Sequence, residues 1–318
     1  MALIKKLGSE RISRLALALV LLAALSALIP KKPAGTGSHE DYGAKAQIVL
    51  KNIPYAQGVP GADKLKLDVY SNAHDRLWPV VVMIHGGGWI GGDKSMDNMV
   101  YLCQVLANNG YVTFNINYRL APDYPIKLQM EDALAALIWV KEHAKEYGGD
   151  PERIGLAGSS AGGHLAALMA WNSDDPYFHP TGRSGKKADA SVKVAALYFP
   201  VIDLELNIKQ LGKAFAWLGH ALLVGALGKP YQEQLKHISP VNFIKADDPP
   251  SIFLTGDADQ FKLYPQSVAA VKKLKELGVD AELFTAPGKK HGFNWQYWDQ
   301  VTVASAQAVV KFFDKYLK

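Results

Sequence analysis

From residue 47 onward, short apolar runs alternate with stretches of helical spacing, and few folds accept that pattern. The runs, at 47–53, 65–70, 80–84, 112–117, 154–157, 194–199, 251–255 and 281–285, are short and bounded by turn residues, so they predict strands. Helical spacing occupies 99–107, 129–147, 161–170, 264–277 and 301–317. In the second of these, Leu134, Leu137 and Ile138 fall on one face, and Gly148-Gly149 marks the end. Short apolar strands alternating with helices predict an α/β chain with a mostly parallel central sheet covered on both faces. At 318 residues the chain is long enough to bury one large core of this kind. Its 49% apolar and 20% charged residues are ordinary for a globular protein.

Reactive groups in such sheets gather beyond the carboxyl ends of the strands. After 154–157 comes Gly158-Ser159-Ser160-Ala161-Gly162, a G-x-S-x-G pattern between a strand and a helix. A serine on so tight a turn stands clear of the backbone, and the flanking glycines relieve crowding. After 80–84 comes His85-Gly86-Gly87-Gly88-Trp89. Consecutive glycines let backbone N–H groups approach a ligand and hold the negative oxygen formed when an ester carbonyl is attacked. After 251–255 comes a pair of acids, Asp257 and Asp259, and His291 stands in a glycine-flanked loop before the last helix. The order glycine loop, Ser, Asp, His is that of an α/β-hydrolase.

A serine hydroxyl is a poor nucleophile near neutral pH without an adjacent base. The expected roles follow: Ser160 attacks, His291 takes its proton and passes it to the leaving alkoxide, and an acid orients the imidazole. The N–H groups of Gly87, Gly88 and Ala161 are the expected oxyanion donors. His85 and Gly86 are read as shaping that loop. Trp89, Phe293 and Trp295 lie beside these segments and are candidates for the substrate pocket.

On His85-Gly-Gly-Gly-Trp89, Tyr118-Arg-Leu-Ala-Pro122, Gly158-Ser-Ser-Ala-Gly-Gly163 and His291-Gly-Phe293, in that order, the chain resembles α/β-hydrolase esterases of the hormone-sensitive-lipase and bacterial carboxylesterase type. The resemblance extends over residues 45–318. It implies the α/β-hydrolase fold, with helices flanking a mostly parallel central sheet and a helical cap insertion at about 204–239. The Gly-x-x-Asp pattern of those esterases falls on Asp259, which leaves Asp257 as a turn residue bonded to its own backbone. The lipase-like branch usually carries Asp before the nucleophile, where this chain has Ser159. That difference and the Gly-Gly-Gly-Trp loop make the chain more similar to small bacterial esterases acting on acylated sugars and other short esters, so Ser159 joins the pocket candidates.

The expected activity is hydrolysis of short- to medium-chain carboxylic esters through an acyl-enzyme, with no cofactor and no metal. Alternatives are a lipase-like activity, a peptidase or amidase, since the same triad cleaves amides, and a non-catalytic binding protein on a hydrolase scaffold. The last would be expected to lose Ser, His or the glycine loop, and all are present.

The net charge of +5 is unevenly placed. Residues 1–32 carry six Lys/Arg and one Glu, and the remainder holds 29 basic and 29 acidic residues. No broad basic surface is implied, and nothing resembles a nucleic-acid module. Four basic residues precede 15–29, apolar apart from Ser26. That pattern predicts a signal peptide or uncleaved signal anchor over 1–32, followed by a Pro/Gly-rich linker at 33–44. Fifteen residues are short for a membrane span, which needs about 20. The catalytic domain is thus expected outside the cytoplasm, exported or held at a membrane by its N-terminal segment. The run 214–227 is also too short to span; it reads as a cap helix over the site or as a helix packed on the core. Cys103 is the only cysteine, so no intrachain disulfide can form, and its helical context reads as a small buried hydrophobe.

Overall fold

Val80, Val82 and Ile84 point to one side of their strand and Val81 and Met83 to the other, and all five are completely buried. Side chains alternate across a strand, so an uninterrupted apolar run suits only a strand covered on both faces. This strand, β3 (Trp78–Ile84), accordingly lies inside the sheet, between β4 (Val112–Ile116) and β5 (Gly149–Ser159). The structure is a computed structural model describing residues 34–38, 46–182, 189–211 and 231–318. The remaining strands are β1 (Ile48–Pro54), β2 (Lys66–Ser71), β6 (Val194–Tyr198), β7 (Ser251–Gly256) and β8 (Ala281–Ala286). Among the described residues they form one eight-stranded sheet in the order β1-β2-β4-β3-β5-β6-β7-β8. The pairs β1/β2 and β2/β4 are antiparallel, and from β4 to β8 every pairing is parallel.

Helices cover both faces. On one side lie α1 (Asp97–Asn108) and α7 (Gln300–Leu317), whose Leu102, Leu106, Val309 and Phe313 pack with Val81 and Met83. On the other lie α2 (Ile126–His143), α3 (Ala161–Asn172) and α6 (Leu263–Glu276), with Leu134, Leu137, Leu165 and Leu274 against Val80, Val82 and Ile84. Each fully buried Val, Leu, Ile or Phe contributes about 1.5–3 kcal/mol. Two such layers on one sheet hold the strand ends in fixed relation.

The strands form where the apolar runs lie, with one extension. β5 starts at Gly149, five residues before the expected 154, because Gly149 and Asp150 pair with Trp78 and Pro79 before a register shift. Helix α2 ends at His143; a 3-10 turn over Ala144–Tyr147 follows, and Gly148 closes it with φ 77°. Within 204–239, where a cap insertion is expected, the described helices are α4 (Leu204–Leu211) and α5 (Tyr231–His237). The run 214–227, expected as a cap or core helix, and the segment 1–32 lie outside the described residues, and of the expected linker 33–44 only 34–38 are described. There the Tyr297 hydroxyl donates to the Gly37 carbonyl at 3.4 Å. Among the described residues, no helix is long and apolar enough to cross a membrane.

Register aligns the functional segments. Ile84 of β3 stands beside Gly158 of β5, Ser159 beside Tyr198 of β6, Tyr198 beside Leu254 of β7, and Gly256 beside Ala286 of β8. The loops after these strands therefore meet at one edge.

Candidate active site

Ser160 lies between the last residue of β5 and the first of α3, with φ 56° and ψ −117°. A side chain rarely adopts this left-handed conformation, which costs about 1–3 kcal/mol. The surroundings impose it: the Ser160 N–H donates to the Tyr198 carbonyl at 2.9 Å, and its own carbonyl accepts the His164 N–H at 2.8 Å. The hydroxyl is thereby turned out of the sheet, where Ser160 Oγ meets His291 Nε2 at 2.8 Å.

The other imidazole nitrogen, Nδ1, is 2.9 Å from Asp259 Oδ2. A carboxylate only accepts, so Nδ1 carries the proton and Nε2 offers its lone pair to the serine hydroxyl. The Asp259 side chain is fully buried, and its second oxygen accepts the Phe261 N–H at 2.8 Å. The His291 N–H donates to Gln260 Oε1 at 3.1 Å, and the rings of Phe199 and Phe261 meet the imidazole edge-on at 4.6 and 4.9 Å between centroids. The ring is therefore held by a carboxylate, an amide and two aromatic walls. Asp257, exposed, accepts the Gly288 N–H at 2.6 Å instead. It ties the β7 loop to the β8 loop, where a bond to its own backbone was expected.

The glycine loop folds back against Ser160. A Cβ added to Gly86 would lie 2.8 Å from the Ser159 carbonyl oxygen and 3.3 Å from Ser160 Cβ, so only a glycine allows this approach. Gly87 has φ 126°, and its carbonyl accepts the N–H groups of Ile90 and Gly91 at 3.2 and 3.0 Å. Ala161 is the first residue of α3, and the first N–H groups of a helix have no partner within it. A negative oxygen there also meets the positive end of the helix dipole.

His85 shapes the loop. Its Nδ1 is 2.7 Å from the Gly86 carbonyl and its ring stacks on Tyr118 at 4.4 Å, while the Tyr118 hydroxyl donates to the His85 carbonyl at 2.9 Å. Burial lowers its pKa to about 4, against the opposing hydrogen bond to Gly86, so the ring is neutral. The far end of the loop is pinned by Lys94, whose buried ammonium sits 2.9 Å from both Asp68 Oδ1 and Asn52 Oδ1.

The pocket candidates separate. Ser159 is buried, with Oγ 3.7 Å from Met99 Sδ, and Phe293 is buried against Tyr198 and Phe199. Ser159 Oγ also lies 3.3 Å from the position a Cβ on Gly86 would take, so it packs under the glycine loop. The Trp89 indole is buried against His164, and Trp295 is half-buried near Gly292. The motifs do not mark Gln260, Phe199 or Phe261, which border His291. Phe199 carries one local sign of constraint in the structure, a φ of 34°. Cys103 is buried in α1, and burial pushes its thiol well above the ordinary range, so it is no nucleophile.

The BD-FAE family model matches residues 67–274. Esterase LipQ of Mycobacterium tuberculosis is 30% identical over 271 residues, covering 81% of this chain and 59% of LipQ. Versiconal hemiacetal acetate esterase of Dothistroma septosporum is 35% identical over 254 residues, covering 76% and 74%. Among solved structures, an inhibited Esterase B from Lactobacillus rhamnosis has a TM-score of 0.74 at 25% identity, covering 95% of this chain and 96% of that one. The chain spans 49–59% of the length of the first curated relatives it matches.

Proposed function

The chain belongs to the BD-FAE family, and from that premise we propose that it is a serine carboxylic-ester hydrolase acting on short- to medium-chain esters, acetylated carbohydrates among them. The observation that carries the reading is the hydrogen-bonded chain from Ser160 Oγ through His291 to Asp259, with links of 2.8 and 2.9 Å. Ser160 attacks the ester carbonyl as His291 Nε2 accepts its proton. The carboxylate of Asp259 holds the ring and stabilises the imidazolium. The backbone N–H groups of Gly87, Gly88 and Ala161 receive the negative oxygen, each such donor being worth about 10²–10³ in turnover. His291 returns the proton to the leaving alkoxide. Water, deprotonated by the same nitrogen, then cleaves the acyl-enzyme.

The preference for short acyl groups draws support from the Gly86-Gly87-Gly88-Trp89 loop, and from an acetate ester in the name of the Dothistroma relative. A p-nitrophenyl ester series from acetyl to palmitoyl tests it. Turnover is expected to be greatest at the short end and to fall steeply beyond medium chains. A maximum at palmitoyl would move the assignment to a lipase, and no turnover of any ester by folded protein would sink it.

A further inference from the structure

One turn into α3, His164 is completely buried with both ring nitrogens engaged. The Trp89 indole N–H donates to Nδ1 at 3.2 Å, with the two rings edge-to-face at 5.2 Å and 87°. Nε2 lies 2.7 Å from the Ile238 carbonyl, which can only accept. Nε2 therefore carries the proton, and Nδ1 presents the lone pair that the indole needs. Each hydrogen bond specifies the other, as when one ring nitrogen of a histidine fixes the tautomer at the second. Burial lowers the pKa of this ring to about 4, against the opposing bond to Ile238, so the lone pair persists at neutral pH.

The three groups joined here belong to different elements. Trp89 directly follows Gly88, has φ 63°, and accepts the Ala121 N–H and Gln129 Nε2 on its carbonyl, both at 2.9 Å. His164 belongs to the helix that begins beside Ser160. Ile238 directly follows α5.

We propose that His164 is a positioning residue for the glycine loop: by holding the Trp89 indole it fixes the backbone after Gly88, and with it the aim of the Gly87 and Gly88 N–H groups. The proposal rests on the reading of Ser160 as nucleophile. Groups that meet only the developing oxyanion act in the transition state, so a loosened loop lowers kcat and leaves KM nearly unchanged.

Four variants are assayed on p-nitrophenyl acetate. Trp89→Phe keeps an aromatic ring without the donor. His164→Leu removes both bonds, and His164→Asn keeps an amide acceptor near the position of Nδ1. Trp89→Phe and His164→Leu are each expected to lower kcat about tenfold with KM within twofold. Their double variant is expected to fall no further than the worse single, because one coupling is lost in both. His164→Asn is expected to recover most of the turnover. If His164→Leu does not fold, Trp89→Phe and His164→Asn decide. Turnover within twofold of wild type in Trp89→Phe, losses that multiply in the double variant, or a raised KM at constant kcat would each overturn the positioning role. Ser160→Ala serves as control. If it remains active, the nucleophile reading fails; if it alone is inactive, only the positioning role fails.

Discussion

Ser160 is held at φ 56° by bonds and packing that lie outside the turn itself. A motif can announce such a residue, because the glycines around it answer a local steric need. The same holds for His291 and Asp259, whose register follows from short loops after β7 and β8. Gln260, Phe199 and Phe261 are different: they reach His291 through loop geometry that no spacing encodes, and so they were invisible in the sequence.

The buried histidines carry a testable consequence at this scale. His85 and His164 both titrate at about 4 in the fold against an ordinary 6.5. Between those values the unfolded chain binds more protons than the folded one, so stability is present above pH 6.5 and is lost as pH falls toward 4. The shift amounts to on the order of 3 kcal/mol per histidine. The depressed carboxylates, such as Asp93, Asp175 and Asp299, start from 3.8 and act below this window. Urea unfolding followed from pH 7 to pH 4 is expected to show a steep decline beginning near 6.5. A flat profile down to 4.5 would mean that these rings are not buried neutral.

At the scale of elements, α3 is pressed against the end of β3. A Cβ on Gly162 would overlap the carbonyls of Ile84 and His85, both backbone atoms that cannot swing aside. Gly162→Ala is therefore expected to push the helix from the strand, costing about 1–3 kcal/mol and separating Ser160 from the glycine loop. Thermal unfolding and ester turnover check this together; a variant as stable and active as wild type would contradict the contact. Element positions were legible because most strands are short apolar runs and α1, α6 and α7 carry apolar residues at helical spacing, whereas α3, buried on every side, is announced by the G-x-S-x-G pattern before it. The start of β5 was not legible, since Gly149 and Asp150 pair with Trp78 and Pro79 without any apolar signal of their own. The stop at Gly148 was legible, but the change from α-helix to a 3-10 turn after His143 was not.

Across the whole molecule, topology brings together what the chain separates. Residues 85, 160, 259 and 291 follow β3, β5, β7 and β8, and register brings those ends to one edge of the sheet. Two segments after β6 are tied to the rest of the fold: Asn207 Nδ2 of α4 donates to the Phe261 carbonyl at 2.9 Å, and Ile238, directly after α5, accepts from His164 at 2.7 Å. The first bond reaches the residue packed on His291 and the second reaches the glycine loop through Trp89. The alternation of strands and helices foretold the sheet, whereas these ties join positions 54 and 74 residues apart and leave no trace in the pattern.

The central claim is that Ser160, activated by His291, is the nucleophile. Its most direct test is reaction with a p-nitrophenyl alkylphosphonate, followed by intact-mass and peptide analysis of the wild type and of Ser160→Ala. One equivalent of p-nitrophenol is expected per wild-type chain, with the phosphonyl group on the Ser160 peptide, and none from Ser160→Ala. Labelling of another residue, or equal labelling of both proteins, would contradict it.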